Sequence, residues 1–149
     1  MDLDERFIRS ALALSNIWSK DPSSKVCAIA VGKTRNLVAF GYNGFPPGIP
    51  DTAGRLNDRE FKLRHTLHAE VNALANATFP VETLYVTHAP CENCALHILA
   101  RRSVVRLVYL HRPDFEARWA DSAANAARIL ASGGVSLVPF AFEHMTGEI

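Results

Sequence analysis

His68-Ala69-Glu70 and, after nineteen intervening residues, Pro90-Cys91-Glu92-Asn93-Cys94 are the stretches around which the rest of the chain is arranged. One imidazole and two cysteines three apart form a donor set suited to zinc, and with no obvious fourth protein donor a position is left open for water. Cys91 and Cys94 share a face if a helix begins at Pro90, where a proline's missing N–H costs nothing. The positive end of a helix dipole also lowers the pKa of thiols placed there. His68 and Glu70 stand about 200° apart around an ideal helix, so they converge only if the end of a helix through Val71, Leu74 and Ala75 points at the metal. The spacing therefore predicts two helix N-termini facing one zinc ion.

On the amino side of that pair, residues 3–19 read as an amphipathic helix. Phe7, Ala11, Leu14 and Trp18 form its apolar stripe, with Ile8 and Leu12 beside it, which makes Trp18 a core anchor. Residues 26–31 and 37–40 read as a β-hairpin. The run Gly41-Tyr42-Asn43-Gly44-Phe45-Pro46-Pro47-Gly48 then ends regular structure in an irregular loop. A short polar helix is expected near 57–63, the first zinc helix over 68–77, and a strand over 83–87.

The second zinc helix is expected over 91–102, with Arg101 and Arg102 complementing its own C-terminal dipole. A buried strand follows over 104–110, then a helix from about 119 to a glycine cap at 133–134, a last strand over 135–138, and a loose tail over 145–149. The order α-β-β-α-β-α-β-α-β predicts an α/β fold, a three-layer α/β/α sandwich around a mixed sheet of about five strands, as one domain over residues 1–149. The metal belongs at the carboxyl ends of the strands that feed the two zinc helices.

At 149 residues, 48% hydrophobic and 21% charged, the composition is that of a globular protein with a real core. No apolar run approaches the roughly 20 residues of a membrane span, and the acidic start Met1-Asp2-Leu3-Asp4 is unlike a signal peptide. Three cysteines, two of them assigned to metal, give no disulfide framework, which points to a reducing cytoplasm. A net charge of +1 argues for a small substrate and against a nucleic-acid partner.

H-x-E followed by P-C-x-x-C is the pattern of zinc-dependent nucleobase deaminases, in which the Glu moves protons and is not a ligand. The chain resembles one branch of them, the deoxycytidylate (dCMP) deaminase family of the cytidine deaminase-like fold. Ser19 to Val26, the Gly41 to Gly48 loop, His68 to Ala73, Pro90 to Ala95 and Ala126 to Leu130 carry that resemblance. It implies hydrolysis of dCMP to dUMP and ammonia for thymidylate synthesis, with one Zn2+ per chain on His68, Cys91 and Cys94 and with Glu70 as proton shuttle. It further implies substrate contacts from Asn43, Ser24, Lys25 and Ala69, a homo-oligomer, commonly a hexamer, and dCTP or dTTP effectors at Gly41, Tyr42, Asn43 and Gly44.

Three places depart from the family pattern: Cys27 where a glycine is expected, Arg102-Ser103 at a turn that is usually glycine-rich, and His111-Arg112-Pro113-Asp114-Phe115 in the substrate wall. Arg112 is thereby a candidate phosphate contact. Alternative readings are a deaminase of modified or triphosphate nucleotides, a polynucleotide base deaminase, and a zinc-stabilised binding module without chemistry. A closed structural site of His65, His68, Cys91 and Cys94 is the bland reading of the donor set.

Overall fold

The computed structural model describes residues 1–145; most of the expected tail, 146–149, lies outside the described residues, while Met145 packs against the core. Helix α1 (Leu3–Trp18) starts at Asp2, whose carboxylate accepts the Glu5 N–H at 2.8 Å, an N-cap. Its buried stripe is Ile8, Ala11, Leu12 and Ser15, at the i, i+3, i+4, i+7 spacing of one helix face. Trp18 continues that spacing, three residues after Ser15 and seven after Ala11, but in the last turn it is 49% exposed, so it is not the expected core anchor. It stacks instead on Tyr42, with ring centroids 6.3 Å apart.

Five strands follow in the expected sequence: β1 (Cys27–Val31), β2 (Val38–Tyr42), β3 (Thr83–Val86), β4 (Arg106–Leu110) and β5 (Ser136–Phe140). Their order across the sheet is β2-β1-β3-β4-β5, with β1 antiparallel to both neighbours and the β3-β4-β5 half parallel. Side chains alternate between the faces of a strand, so Ala28, Ala30, Leu84, Val86 and Leu107 form one core while Cys27, Ile29, Val31, Tyr85, Val108 and Leu110 form another. The first packs under α4 (Ala69–Asn76), α5 (Glu92–Arg101) and α7 (Ala120–Ser132), the second under α1. Each fully buried aliphatic side chain contributes about 1.5–3 kcal/mol, so both layers are firmly held.

The position of α4 is set by the edge strand. A Cβ at Gly41 would stand 2.3 Å from the backbone nitrogen of Ala73, so the helix can approach β2 this closely only over a glycine. Asn72 Nδ2 donates to the Tyr42 carbonyl at 2.8 Å and Asn76 Nδ2 to the Phe40 carbonyl at 2.9 Å. Four helix residues rise about 6 Å and two strand residues about 6.7 Å, so the two amides and the two carbonyls come into register. Those contacts cover part of an open sheet edge and run α4 from the Tyr42 end toward Phe40.

Several boundaries differ from the reading of the sequence. Strand β2 continues through Tyr42, because Gly41 and Tyr42 still pair with Ala28 and Cys27. The polar segment between β2 and α4 holds two short helices, α2 (Ala53–Leu56) and α3 (Arg59–His65), each capped by a side-chain oxygen, Thr52 and Asp58. An unexpected helix α6 (Pro113–Arg118) follows β4, begun by a proline at its first turn. At the end of α7 the left-handed glycine is Gly134, with φ +75°, whereas Gly133 has φ −89°.

Candidate active site

Every residue singled out for function comes to the same end of the sheet. Because β1 runs antiparallel to β2 and β3, the start of β1 (Ser24, Lys25) lies beside the end of β2 (Asn43) and the end of β3 (Thr87), and β4 delivers Arg112 to that end as well. Gly44 pairs with Leu67 through two backbone hydrogen bonds of 3.2 and 2.9 Å, which seats the residue before His68 against the same loop. The first turns of α4 and α5 close the constellation.

His68 is the N-cap residue of α4 and makes no side-chain cap bond, so its ring is free to turn toward α5. Cys91 is the N-cap of α5, and its sulfur accepts the Cys94 N–H at 3.4 Å. His68 Nδ1 lies 3.4 Å from Cys91 Sγ and 3.3 Å from Cys94 Sγ, and the three donors fall within 4.8 Å of one another. Bonds of about 2.0–2.3 Å to a single ion place tetrahedral donors about 3.5 Å apart, so this set fits one zinc. His68 is exposed, Cys91 half-buried and Cys94 buried, which leaves the solvent side for an exchangeable ligand.

His65 takes no part. Its Nδ1 is 2.8 Å from the Phe61 carbonyl oxygen and its ring stacks on Phe61 at 3.8 Å, so the closed two-His, two-Cys site is not assembled.

The electrostatics suit a metal and a proton carrier. A hydrogen bond from Cys94, together with the imidazole beside it, holds the Cys91 thiol down to about 4, while that same bond and burial push Cys94 up. The Cys91 sulfur in turn raises His68. Glu70 is 4% exposed in the first turn of α4, and burial pushes its carboxyl up. Its Oε2 lies 3.3 Å from Cys94 Sγ, so it adjoins the donors without joining them. A buried carboxyl whose charged form burial disfavours is suited to taking up and returning a proton.

Residues 1–111 match the family model for the cytidine and deoxycytidylate deaminase zinc-binding region. The chain belongs to that family. It is 36% identical over 137 residues to an uncharacterized deaminase in the luxG 3'region of Aliivibrio fischeri, a match that covers 89% of this chain and 90% of that protein. It is 35% identical over 116 residues to a probable deoxycytidylate deaminase of Caenorhabditis elegans, over 74% of this chain and 58% of that one. The deoxycytidylate deaminase of Homo sapiens is 32% identical over 126 residues, 78% of this chain and 67% of its own length. Family membership and the His68, Cys91, Cys94 group together make this a deaminase with one zinc site.

Around the zinc site of this deaminase, the other expected residues have varied surroundings. Asn43 is buried; its Oδ1 accepts from Ser19 Oγ at 2.7 Å and from the Val26 N–H at 2.9 Å, and its Nδ2 donates to the Ser24 carbonyl at 2.8 Å. One amide hydrogen is all that remains to it for a ligand. Lys25 Nζ donates to the Ser19 carbonyl at 2.6 Å, and Ser24 is exposed. Ala69 is fully buried as the first residue of α4. Arg112 is half-buried, its Nε donates to the Thr87 carbonyl at 2.8 Å, and among the described residues its guanidinium has no carboxylate partner. Its guanidinium carbon also lies 5.9 Å from the centre of the Phe142 ring; a half-buried cation whose charge no carboxylate offsets is suited to an anion.

The Gly41 to Gly44 run has structural work of its own, in the close approach to α4 and the bridge to Leu67. The cavity beside it, lined by Lys20, Asp21, Tyr42 and Lys62 among others, has about 60 Å³, against about 300–1,000 Å³ for a typical small-molecule site. Its lysines are paired, Lys20 with Asp51 at 2.8 Å and Lys62 with Asp21 at 3.1 Å. Thr87 and His88, which border the site, were missed from the sequence. Their position directly before Ala89-Pro90-Cys91 was the available signal.

Among the described residues, no helix is long and apolar enough to cross a membrane.

Proposed function

We propose that this deaminase acts on dCMP, releasing ammonia and leaving dUMP, a precursor for thymidylate synthesis. The observation that carries the reading is the placement of Glu70: a buried carboxyl with a raised pKa, in the first turn of a helix whose cap residue is one of three zinc donors. Zinc, when bound by His68, Cys91 and Cys94, supplies Lewis acidity that brings water's pKa toward about 7. Glu70 Oε2 takes one proton of the water that attacks the amino-bearing carbon and passes it to the adjacent ring nitrogen, then takes the second from the hydroxyl newly bonded to that carbon and delivers it to the departing amine. The positive ends of the α4 and α5 dipoles favour both thiolates and the ionised Glu70.

For the substrate, Asn43 and the backbone around Ala69 orient the nucleoside, while Arg112, with Lys25 and Ser24 across the sheet end, meets the phosphate. The guanidinium of Arg112, held by the Thr87 carbonyl with no carboxylate partner among the described residues, supports a monophosphate over a nucleoside, and the names of the curated deoxycytidylate deaminases agree with it. A homo-oligomer in which a neighbouring subunit enlarges the Gly41 to Gly44 cavity would accommodate dCTP or dTTP there. Ammonia release from deoxycytidine, dCMP, dCTP, a ring-modified dCMP and a short single-stranded DNA, run side by side, tests the reading. dCMP is expected to turn over fastest; equal rates on deoxycytidine would refute phosphate recognition, and preference for another substrate would replace dCMP with it.

A further inference from the structure

Beyond the zinc donors and Glu70, one buried polar chain runs from the start of β1 to the segment that leads into Cys91. The Cys27 N–H donates to Thr87 Oγ1 at 3.1 Å, and Thr87 Oγ1 lies 3.1 Å from His88 Nδ1. Thr87 is fully buried, and among the described residues its hydroxyl has no acceptor other than that ring nitrogen. A buried hydroxyl proton left without an acceptor is costly, so the hydroxyl donates to Nδ1. That makes Nδ1 an acceptor and places the ring's proton on Nε2.

The rest of the ring is equally constrained. His88 is 8% exposed and meets Phe115 edge-on, with centroids 4.7 Å apart. Burial and the nearby Arg112 guanidinium hold it down to about 3, so the ring is neutral at physiological pH. Among the described residues Nε2 has no partner and no buried side-chain nitrogen or oxygen is left unsatisfied, so Nε2 is at the part of the ring open to solvent. His88 leaves β3 three residues before the metal ligand Cys91, beside the carbonyl of Thr87 that anchors Arg112.

We infer that His88 is a specificity-determining residue whose Nε2–H donates to an oxygen acceptor on the bound nucleotide, either the base carbonyl or the sugar hydroxyl. This rests on the cytosine-nucleotide reading above and adds to it a fixed, uncharged donor. A permanent donor at this place favours ligands that offer an oxygen there and leaves the phosphate to Arg112.

Two measurements test it. In zinc-loaded protein labelled with 15N-histidine at pH 7, His88, assigned by its disappearance in His88→Phe, is expected to carry its proton on Nε2 alone; a proton on Nδ1, alone or in addition, would overturn the inference. In the second, His88→Phe keeps the packing on Phe115 and removes the donor. KM for dCMP is expected to rise about three- to tenfold with kcat little changed, and His88→Gln, which retains an N–H donor, to recover much of that rise. With 2-thio-dCMP and 2′,3′-dideoxy-CMP, the analogue whose penalty vanishes in His88→Phe identifies the acceptor. An unchanged KM in His88→Phe, or penalties unchanged for both analogues, would overturn it. Failure of the functional reading looks different: the unsubstituted protein would then release no ammonia from any cytosine nucleotide.

Discussion

The guanidinium of Arg101, at the end of α5, lies on the carbonyl of Leu74 near the end of α4, with Nη1 2.6 Å from that oxygen. Its Nη2 adds the carbonyls of Ala77 at 2.5 Å and Phe79 at 3.0 Å. The charge thus neutralises the C-terminal dipole of the neighbouring helix, not that of its own helix as the sequence suggested. The two helices that carry the zinc donors at their N-termini are tied together at their other ends. Charged hydrogen bonds contribute about 1.5–3 kcal/mol each, with losses that overlap at one side chain, so Arg101→Met is expected to lower stability by about 2–4 kcal/mol in urea denaturation. A loss below about 0.5 kcal/mol would show that the three contacts add nothing.

Gly41→Ala tests the packing of α4 on β2. The added Cβ meets backbone at Ala73 and Asn72, neither of which can swing aside. Overpacking typically destabilises by about 1–3 kcal/mol, and a clash with backbone belongs at or above the upper end. Thermal unfolding is expected to show a clear drop, and Gly44→Ala, where the nearest atom to a Cβ is 3.8 Å away in the Tyr42 ring, a much smaller one. Equal effects would refute the close-approach account.

Arg102 has the only positive φ among non-glycine described residues, +65°, at the end of α5 where the family pattern has a glycine-rich turn. An L-residue held there is disfavoured by roughly 1–2 kcal/mol. Its side chain is exposed. Arg102→Gly is therefore expected to raise the unfolding free energy by about 0.5–1 kcal/mol, after the larger entropy of a glycine in the unfolded chain is deducted. A loss of stability would mean that the arginine side chain matters more than its backbone.

Asp4 joins α1 to the sheet. It accepts from Arg106 Nη1 and from the Tyr85 hydroxyl, both at 2.8 Å, and pairs with Arg106 Nη2 as well. The Arg106 bonds hold its carboxyl below the ordinary 3.8. A carboxyl depressed on folding adds stability that is complete above its unfolded pKa and is lost as pH falls through the folded one. Between pH 5 and pH 2.5 the wild type should therefore lose about 1 kcal/mol more than Asp4→Asn does, a figure kept small because the pair is partly solvated. Parallel stability curves for the two proteins would contradict it.

The sequence made the zinc donors and the order of elements legible because both rest on short-range rules, the spacing of ligands at helix starts and the switch between periods of 3.6 and 2. Trp18 misled because a hydrophobic stripe does not reveal where the core ends, and this residue, in the last turn of α1, stays half-exposed against Tyr42 of the edge strand β2. Arg101, Asn72 and Asn76 act on elements far away or on backbone carbonyls, and no local pattern announces such partners. Helix α6 was hidden for a related reason: six residues with no buried side chain leave no periodicity to read. The effector expectation for Gly41 to Gly44 rested on resemblance, and in the single chain those glycines already serve packing.

The most direct test of the account is ammonia release from dCMP by a Glu70→Gln variant whose zinc content has been measured. Glu70 adjoins the donors His68, Cys91 and Cys94 but is outside the ligand set, so the variant is expected to fold and to bind one zinc per chain as the wild type does. The amide cannot shuttle a proton, and turnover should fall by about two to four orders of magnitude or more. Turnover within tenfold of wild type at full zinc occupancy would contradict the assignment of Glu70, and with it the proposed mechanism.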